Sequence, residues 1–405
     1  MPKGNYPLQY FQTPRFARSR TAAYEILDTY TGEFFAEETG LHEHIDLVVP
    51  LPPLSLDGRF VKGLCFSQAM DFLVDQIPQL KDLFICAAHS MWSSYPWSRS
   101  ADAYLVCYNN PHREAWFRKA NPTRAAKTLI PLQDADWTNE YTMAPQRVLD
   151  RDIDLLCISR LHTLKNVPLI ARALLLYRRK YPFEPIRMTL IAGKKNAYCS
   201  ESMSEVERDQ YTQIQRILGR PEDYIDFVDS AAHFAELPSY YSRARCYILG
   251  SLLEGKNRCL NEALSCNTPV LCFADLNVYA RGATPCIAPT AGLTAEFDEE
   301  SLADAIHDVL LNEGDFRPRA AYLASSGRRR FLTECTTKIP YFQQQIPDLK
   351  SRGCWDNPWI DLAVQQAYDT SLHDFVYGRR TNISSAKGLE RAAELTDYYA
   401  QKMEL

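Results

Sequence analysis

The stretch Gly250-Ser-Leu-Leu-Glu-Gly-Lys-Asn-Arg-Cys-Leu-Asn-Glu-Ala-Leu-Ser-Cys-Asn-Thr-Pro-Val-Leu-Cys-Phe273 decides the fold. Cys246 to Gly250 is an apolar run of strand length, a sharp loop passes through Glu254 and Gly255, and the apolar spacing from Asn257 to Ser265 predicts a helix. Pro269 to Phe273 reads as a second buried strand. Strand, loop, helix and strand in this order form one unit of a parallel sheet. Two carboxylates stand eight positions apart, Glu254 in the loop and Glu262 on the second turn of the helix. Both can then face the carboxyl end of the sheet, where doubly wound folds bind ligands. Gly255 permits close backbone approach, Asn257 is a suitable N-cap, and the free amides of the first helical turn carry partial positive charge. With Lys256 and Arg258 beside them, the natural guest is an anion such as a diphosphate.

Outward from this unit the second half alternates regularly. A strand at Asp154 to Ser159 leads to a helix from Pro168 to Lys180. A strand at Met188 to Ala192 ends in Gly193, Lys194 and Lys195 and leads to a helix from Ser204 to Leu218. A strand at Tyr224 to Val228 precedes a helix from Ala235 to Ala244, and Glu299 to Leu311 is an amphipathic helix whose acidic start suits the dipole. Such alternation implies a doubly wound sheet. Cations recur at its strand ends: Arg160 and Lys165, then Lys194 and Lys195, then Lys256 and Arg258. One alone is a solvated charge; their recurrence along one sheet edge places them where a diphosphate would need them.

The first half is α/β as well. Strands are expected at Ile45 to Leu51, Leu83 to Ala87, Ala103 to Tyr108 and Thr128 to Pro131, with helices at Ser67 to Ile77 and Pro111 to Lys119. His89 follows the second of these strands, and Trp92, Tyr95 and Trp97 come next, aromatics that either close a core or stack on a sugar. Residues 1–20 hold four basic and no acidic residues among Tyr6, Tyr10, Phe11 and Phe16. This is a terminus, or else an arm for an anionic acceptor or membrane surface.

A chain of 405 residues exceeds the usual single-domain range, and 46% hydrophobic residues supply two cores. A net charge of -5 argues against a protein built to coat nucleic acid. The runs Ile45 to Leu54 and Pro168 to Tyr177 are too short to span a bilayer. With no leader in the sequence, the expected place is the cytoplasm, membrane contact being at most peripheral, and Arg328-Arg-Arg330 reads as a solvated face. The 12 cysteines form no Cys-x-x-Cys pair and sit mostly in apolar runs such as Leu155-Leu-Cys-Ile158, as reduced core residues do.

Glu254-Gly255, Glu262-Ala263-Leu264 and Asn267-Thr268-Pro269-Val270 together resemble the Glu-x7-Glu motif, followed by Gly-Thr-Pro-Val, of retaining glycosyltransferases of family 4, which have the two-domain GT-B fold. The resemblance is strong over residues 154–312. Arg160-Leu161 and Lys165-Asn166 are similar to the family's Gly-Arg-Leu and Lys-Gly words, with Ser159 and Asn166 standing for glycines, and Ala291-Gly292-Leu293 is similar to Gly-Leu-Leu-Val. In the first half Ala101 to Asn109 and Ile130 to Asp136 resemble family segments, whereas residues 1–44 lack the family's Gly-rich opening.

The resemblance implies an α/β GT-B protein with two Rossmann-like doubly wound domains facing a cleft. Residues 1–148 form a small, atypical acceptor-side domain and 149–335 the donor domain. Residues 336–405, with Trp355, Trp359 and a helical run from Ala386 to Met403, form an extension packing back on the first domain. It implies transfer of a sugar, with retention, from a nucleoside diphosphate sugar to a hydroxyl of a glycan, a lipid-linked acceptor or a small molecule. Glu262 takes the ribose hydroxyls and Glu254 the donor sugar hydroxyls, while Arg160 and Lys165 neutralise the leaving diphosphate. Gly193, Gly255, Lys256, Asn257 and Arg258 complete the nucleotide site, and His89 lies in the cleft. No cofactor is implied beyond the donor itself, a UDP-sugar in preference to a GDP-sugar. No metal is expected, although Asp134-Ala-Asp136 and Asp150-Arg-Asp-Ile-Asp154 look like the Asp-x-Asp signature of the other glycosyltransferase fold. Lys256 replaces the family's usual aromatic residue, which leaves open a nucleotide-sugar epimerase of the same fold or a catalytically idle partner protein.

Overall fold

Leu64, Phe66, Ile85 and Ala87 turn to one face of a sheet while Cys65, Cys86 and Ala88 turn to the other, the period-two alternation of extended backbone. In this computed structural model the described residues are 47–346 and 385–404, apart from stretches of which the longest are 90–97, 106–126, 193–197, 229–235 and 279–286. The described residues before 138 and after 325 make one unit, and those from 138 to 325 make the other.

The first unit contains β1 (Val48–Leu51), a hairpin of β2 (Leu54–Leu56) and β3 (Arg59–Val61), β4 (Gly63–Ser67), β5 (Phe84–His89), β6 (Ala103–Leu105) and β7 (Thr128–Ile130). Its sheet runs β1-β4-β5-β6-β7, with β1 antiparallel to β4 and the other pairs parallel. The sheet is therefore small and mixed. One face packs on the helices Met70–Gln76, Leu80–Leu83 and Ser385–Lys402, the last contributing Ala392, Leu395 and Tyr399. The other face packs on Arg328–Lys338 and Pro340–Gln345 through Phe331, Leu332, Cys335 and Phe342. Each buried Leu or Phe among these contributes about 1.5–3 kcal/mol of transfer free energy, and described residues beyond 325 pack on both faces of the first sheet.

The second unit holds β8 (Ile153–Ile158), β9 (Met188–Ile191), β10 (Ile225–Val228), β11 (Ala244–Leu249), β12 (Leu253–Glu254), β13 (Val270–Phe273), β14 (Asn277–Val278) and β15 (Gly292–Ala295). Its six-stranded sheet is parallel throughout, in the order β10-β9-β8-β11-β13-β15. In order of appearance this is 3-2-1-4-5-6, the order of doubly wound nucleotide-binding sheets, and it reverses between β8 and β11. Helices Val167–Lys180, Glu205–Leu218 and Glu299–Leu311 cover one face. Leu237–Arg243, Arg258–Ser265 and Pro318–Ser325 cover the other. Local chemistry starts these helices: Ser204 and Glu207 form a capping box, and Asp298 accepts from Ser301 N at 2.7 Å. The two-unit α/β organisation that the resemblance implied is present, with the first sheet the smaller.

The described cysteines are free thiols and most are buried. The Arg328-Arg-Arg330 run is not one solvated face, as expected from its charge: Arg328 is 1% exposed, and Arg330 pairs with Glu334 at 3.1 Å, because helical spacing points neighbours in different directions. Among the described residues no helix is long and apolar enough to cross a membrane. The basic arm at residues 1–20, Trp92, Tyr95, Trp97, the helix expected from Pro111 to Lys119, Trp355 and Trp359 lie outside the described residues.

Candidate functional site

The loops after β8 and β11 meet where the strand order reverses. Leu156 and Tyr247 are paired across these neighbouring parallel strands, so both loops leave the same sheet edge. After β8, Thr163–Lys165 form one tight 3-10 turn, and its cap is His162, whose Nδ1 accepts from Leu164 N at 3.2 Å. Asn166 follows in the left-handed region, φ 49° and ψ 32°, and its side-chain amide donates to the Gly250 carbonyl at 2.9 Å. A Cβ at Gly250 would strike the Lys165 carbonyl and lie 3.0 Å from Ile170 Cδ1, so this close approach requires glycine.

The approach places the Lys165 ammonium in a salt bridge with Glu254 Oε1. Glu254 lies not in a loop, as its surroundings in sequence suggested, but in β12, whose two residues pair with Asn277 and Val278 of β14. This ladder fixes its backbone. Arg160 is exposed and has no carboxylate partner among the described residues.

Asn257 caps the next helix, Arg258–Ser265, by accepting from Leu260 N at 2.9 Å. Glu262, on its second turn, is 2% exposed, and the Tyr241 hydroxyl donates to its Oε2 at 2.8 Å. Burial pushes the Glu262 carboxyl up to about 7, against the opposing pull of Arg258 one turn earlier and of the Tyr241 hydrogen bond. The helix ends on Asn267 at φ 62°, with Thr268 N bonded to Ala263 O at 2.9 Å and Asn267 N to Leu264 O at 3.0 Å, the paired bonds of a left-handed C-cap. Thr268 then turns its hydroxyl onto the Tyr241 carbonyl at 2.6 Å. Asn-Thr-Pro thus ends one helix and steadies the residue that bonds Glu262.

Tyr247 packs edge-on against Tyr241 with ring centroids 5.9 Å apart, and its hydroxyl lies in the field of both Glu254 and Glu262. Among the described residues the buried hydroxyls of Thr163, Tyr247 and Ser251 have no hydrogen-bond partner. All three belong to β11 or to the loops that meet here, and buried unpaired hydroxyls call for a cause.

The structure thus brings Lys165 and Glu254 together, with Asn257, Arg258 and Glu262 on the adjacent helix. Gly193, Gly255 and Lys256 lie outside the described residues, as do Lys194 and Lys195. His89 ends β5 in the first unit, in register with Leu105, and its side chain also lies outside them. Two of the acids of Asp150 to Asp154 serve ion pairs: Asp152 with Arg243 at 2.6 Å and Asp154 with Arg245 at 3.3 Å. Among the described residues no group of three or more His, Cys, Asp or Glu is placed to hold a metal ion. Sequence reading passed over His162 and Tyr241. The position of His162 before a turn-forming Thr is a weak cap signal, and Tyr241 carries none, because its partner is 21 residues away. Burial, then Arg160 and Lys165, hold the His162 imidazole below its ordinary value.

Residues 152–312 match the family Glycosyl transferases group 1, so the parallel-sheet unit is related to that family. No curated protein matches the chain in sequence. Sucrose-phosphate synthase from Thermosynechococcus elongatus is similar over 66% of this chain and 70% of its own, at 18% identity and a TM-score of 0.44. S. aureus TarM is similar over 64% of this chain and 51% of its own, at 10% identity and a TM-score of 0.45. The C-terminal domain of a glycosyl transferase group 1 family protein from Francisella tularensis is similar over 50% of this chain and 99% of its own, at 15% identity and a TM-score of 0.35. Likenesses this remote do not bear on substrate or mechanism.

Proposed function

We propose that the protein is a retaining glycosyltransferase that moves a sugar from a nucleoside diphosphate sugar to an acceptor hydroxyl without a metal ion. One observation carries this reading: Lys165 meets Glu254 at the carboxyl ends of β8 and β11, beside buried Glu262, inside the segment related to glycosyl transferases group 1. An ionised Glu262 takes two hydrogen bonds from the ribose diol. Glu254 takes hydroxyls of the donor sugar near the reacting carbon. Arg160 and Lys165 neutralise the charge that builds on the leaving diphosphate, the largest electrostatic contribution expected for a loosened, oxocarbenium-like transition state. Gly193, the amides of Gly255 to Asn257, and the charges of Lys256 and Arg258 complete the anion site.

Retention follows from a same-face displacement. The bond from the anomeric carbon to the diphosphate oxygen breaks, the acceptor oxygen bonds on the same face, and the departing phosphate takes the acceptor proton. No protein nucleophile is required, and His89 orients the acceptor or the sugar. The first unit is assigned to the acceptor and the parallel-sheet unit to the donor. A UDP-sugar is the preferred donor, a glycan, a lipid-linked acceptor or a small molecule the acceptor, and the cytoplasm, with at most peripheral membrane contact, the site of action.

Calorimetric titration with UDP, GDP and ADP, on the wild type and on Glu262→Ala and Arg160→Ala, tests the reading. Binding of one nucleotide that both substitutions weaken supports the donor site. Failure of all three to bind rejects it in favour of an idle scaffold, and conversion of a sugar nucleotide without any acceptor identifies an epimerase.

A further inference from the structure

Among the described residues Glu262 is held from outside its own helix by Tyr241, and that residue is itself fixed at three points. Its hydroxyl donates to Glu262 Oε2 at 2.8 Å, its carbonyl accepts from Thr268 Oγ1 at 2.6 Å, and its ring packs edge-on against Tyr247. Tyr241 is fully buried. A carboxylate bonded to a rigid phenol has its second oxygen left for a ligand and its orientation set by the phenol.

We propose that Tyr241 is a positioning residue for nucleotide binding, holding the Glu262 carboxylate ionised and oriented toward the ribose diol. This inference rests on the proposed donor site. An O–H donor stabilises the charged carboxylate over the neutral acid, so Tyr241 opposes the burial that favours protonation. Among the described residues the neighbours of Glu262 isolate this titration. Arg258, on the same helix, stays charged, and the thiols of Cys259 and Cys266 are raised well beyond neutral pH by burial. From β11 the Tyr247 phenol is likewise raised, β13 contributes only Cys272, and the helix Pro318–Ser325 contributes Arg319, which acts on Cys266, and the phenol of Tyr322. Burial, then Arg160 and Lys165, hold the His162 imidazole in the neighbouring loop below its ordinary value, so the range above pH 7 reports on Glu262.

The test is the pH profile of UDP, GDP and ADP affinity from pH 6 to 9 for the wild type, Tyr241→Phe, Glu262→Gln and the double variant. Phenylalanine keeps the ring in the core, and a thermal melt of each variant checks that it folds. The expected result is a midpoint about one pH unit higher in Tyr241→Phe, with affinity near pH 7 down about fivefold and recovering toward wild type at pH 9. Above pH 7 Glu262→Gln loses the pH dependence, and adding Tyr241→Phe to it moves no midpoint. A loss in Tyr241→Phe that is equal at every pH, or no loss, makes Tyr241 a packing residue and overturns the proposal. A wild type that binds none of the three nucleotides rejects the donor site itself, and the role of Tyr241 in it falls with that site.

Discussion

The Lys165 ammonium and the Glu254 carboxylate, 89 residues apart in sequence, form a salt bridge at the carboxyl edge of the parallel sheet. Both side chains are mostly buried, at 22% and 10% exposure, so each keeps the other's charge compensated. In the proposed donor site, a diphosphate entering beside Lys165 would compete with Glu254 for the same ammonium. Glu254→Gln removes the competing charge and keeps the shape. It is expected to bind nucleoside diphosphate several-fold more tightly while transfer falls by about two to three orders of magnitude, a loss of the size seen for one preorganised polar group. Titration calorimetry and a transfer assay on the same preparation check both; weaker binding and unchanged transfer refute the assignment.

Lys165→Ala leaves Glu254 as an unpaired charge with little access to water. Its cost to folding is expected at about 1–3 kcal/mol, below that for a fully buried pair because solvent reaches part of the lysine. Adding Glu254→Gln should restore most of that loss. A double-mutant cycle in urea reads the coupling.

Arg160 stands exposed beside the same loop, so removing it leaves no buried charge behind. Arg160→Ala should keep stability within about 0.5 kcal/mol of wild type. Its nucleotide affinity should fall by about tenfold or more, and the deficit should shrink as salt screens the charge in both proteins. Salt-dependent titration separates this from a general loosening of the site.

The Glu262 carboxyl, pushed up to about 7 by burial from an ordinary value of 4.5, ties folding to pH. A raised carboxyl contributes stability that is fully present below about 4.5 and is lost as pH rises through about 7. At about 1.4 kcal/mol per unit the loss is on the order of 3 kcal/mol. Glu262→Gln should therefore remove this part of the decline between pH 5 and 8 in denaturant unfolding. In the wild type, nucleotide binding near pH 7 should release protons, visible as a dependence of the calorimetric enthalpy on buffer ionisation.

Asn166 and Asn267 both sit where the family words carry glycine, and both have positive φ, 49° and 62°. Asparagine tolerates the left-handed region better than other residues with a Cβ. Replacement of either by alanine should cost about 1–2 kcal/mol, and replacement by glycine distinctly less. At Asn166 even glycine forfeits the hydrogen bond to the Gly250 carbonyl. Chemical denaturation of the four variants tests the order.

Much of the parallel-sheet unit was legible in the chain itself because its signals are local. Strand-length apolar runs, helical spacing, the Asn257 cap and the acidic start at Glu299 each depend on neighbours within a few residues. The short strand at Glu254 escaped notice because its partner, Asn277–Val278, lies more than twenty residues on and two residues make no pattern. The helix Arg328–Lys338 packs on the first sheet through Phe331 and Leu332, a partner that no neighbour in sequence announces. An amphipathic stripe declares that it will be buried, not against which sheet.

By itself the sequence determined that this is an α/β protein with alternating strands and helices, cations at several strand ends, and two carboxylates set eight residues apart. The tertiary structure decided the strand order that brings the β8 and β11 loops together, the pairing of Lys165 with Glu254, the clamp of Tyr241 on Glu262 and the upward shift in that carboxyl's titration. The division is physical: backbone propensity and capping act between near neighbours, whereas desolvation and close approach exist only after remote segments have packed.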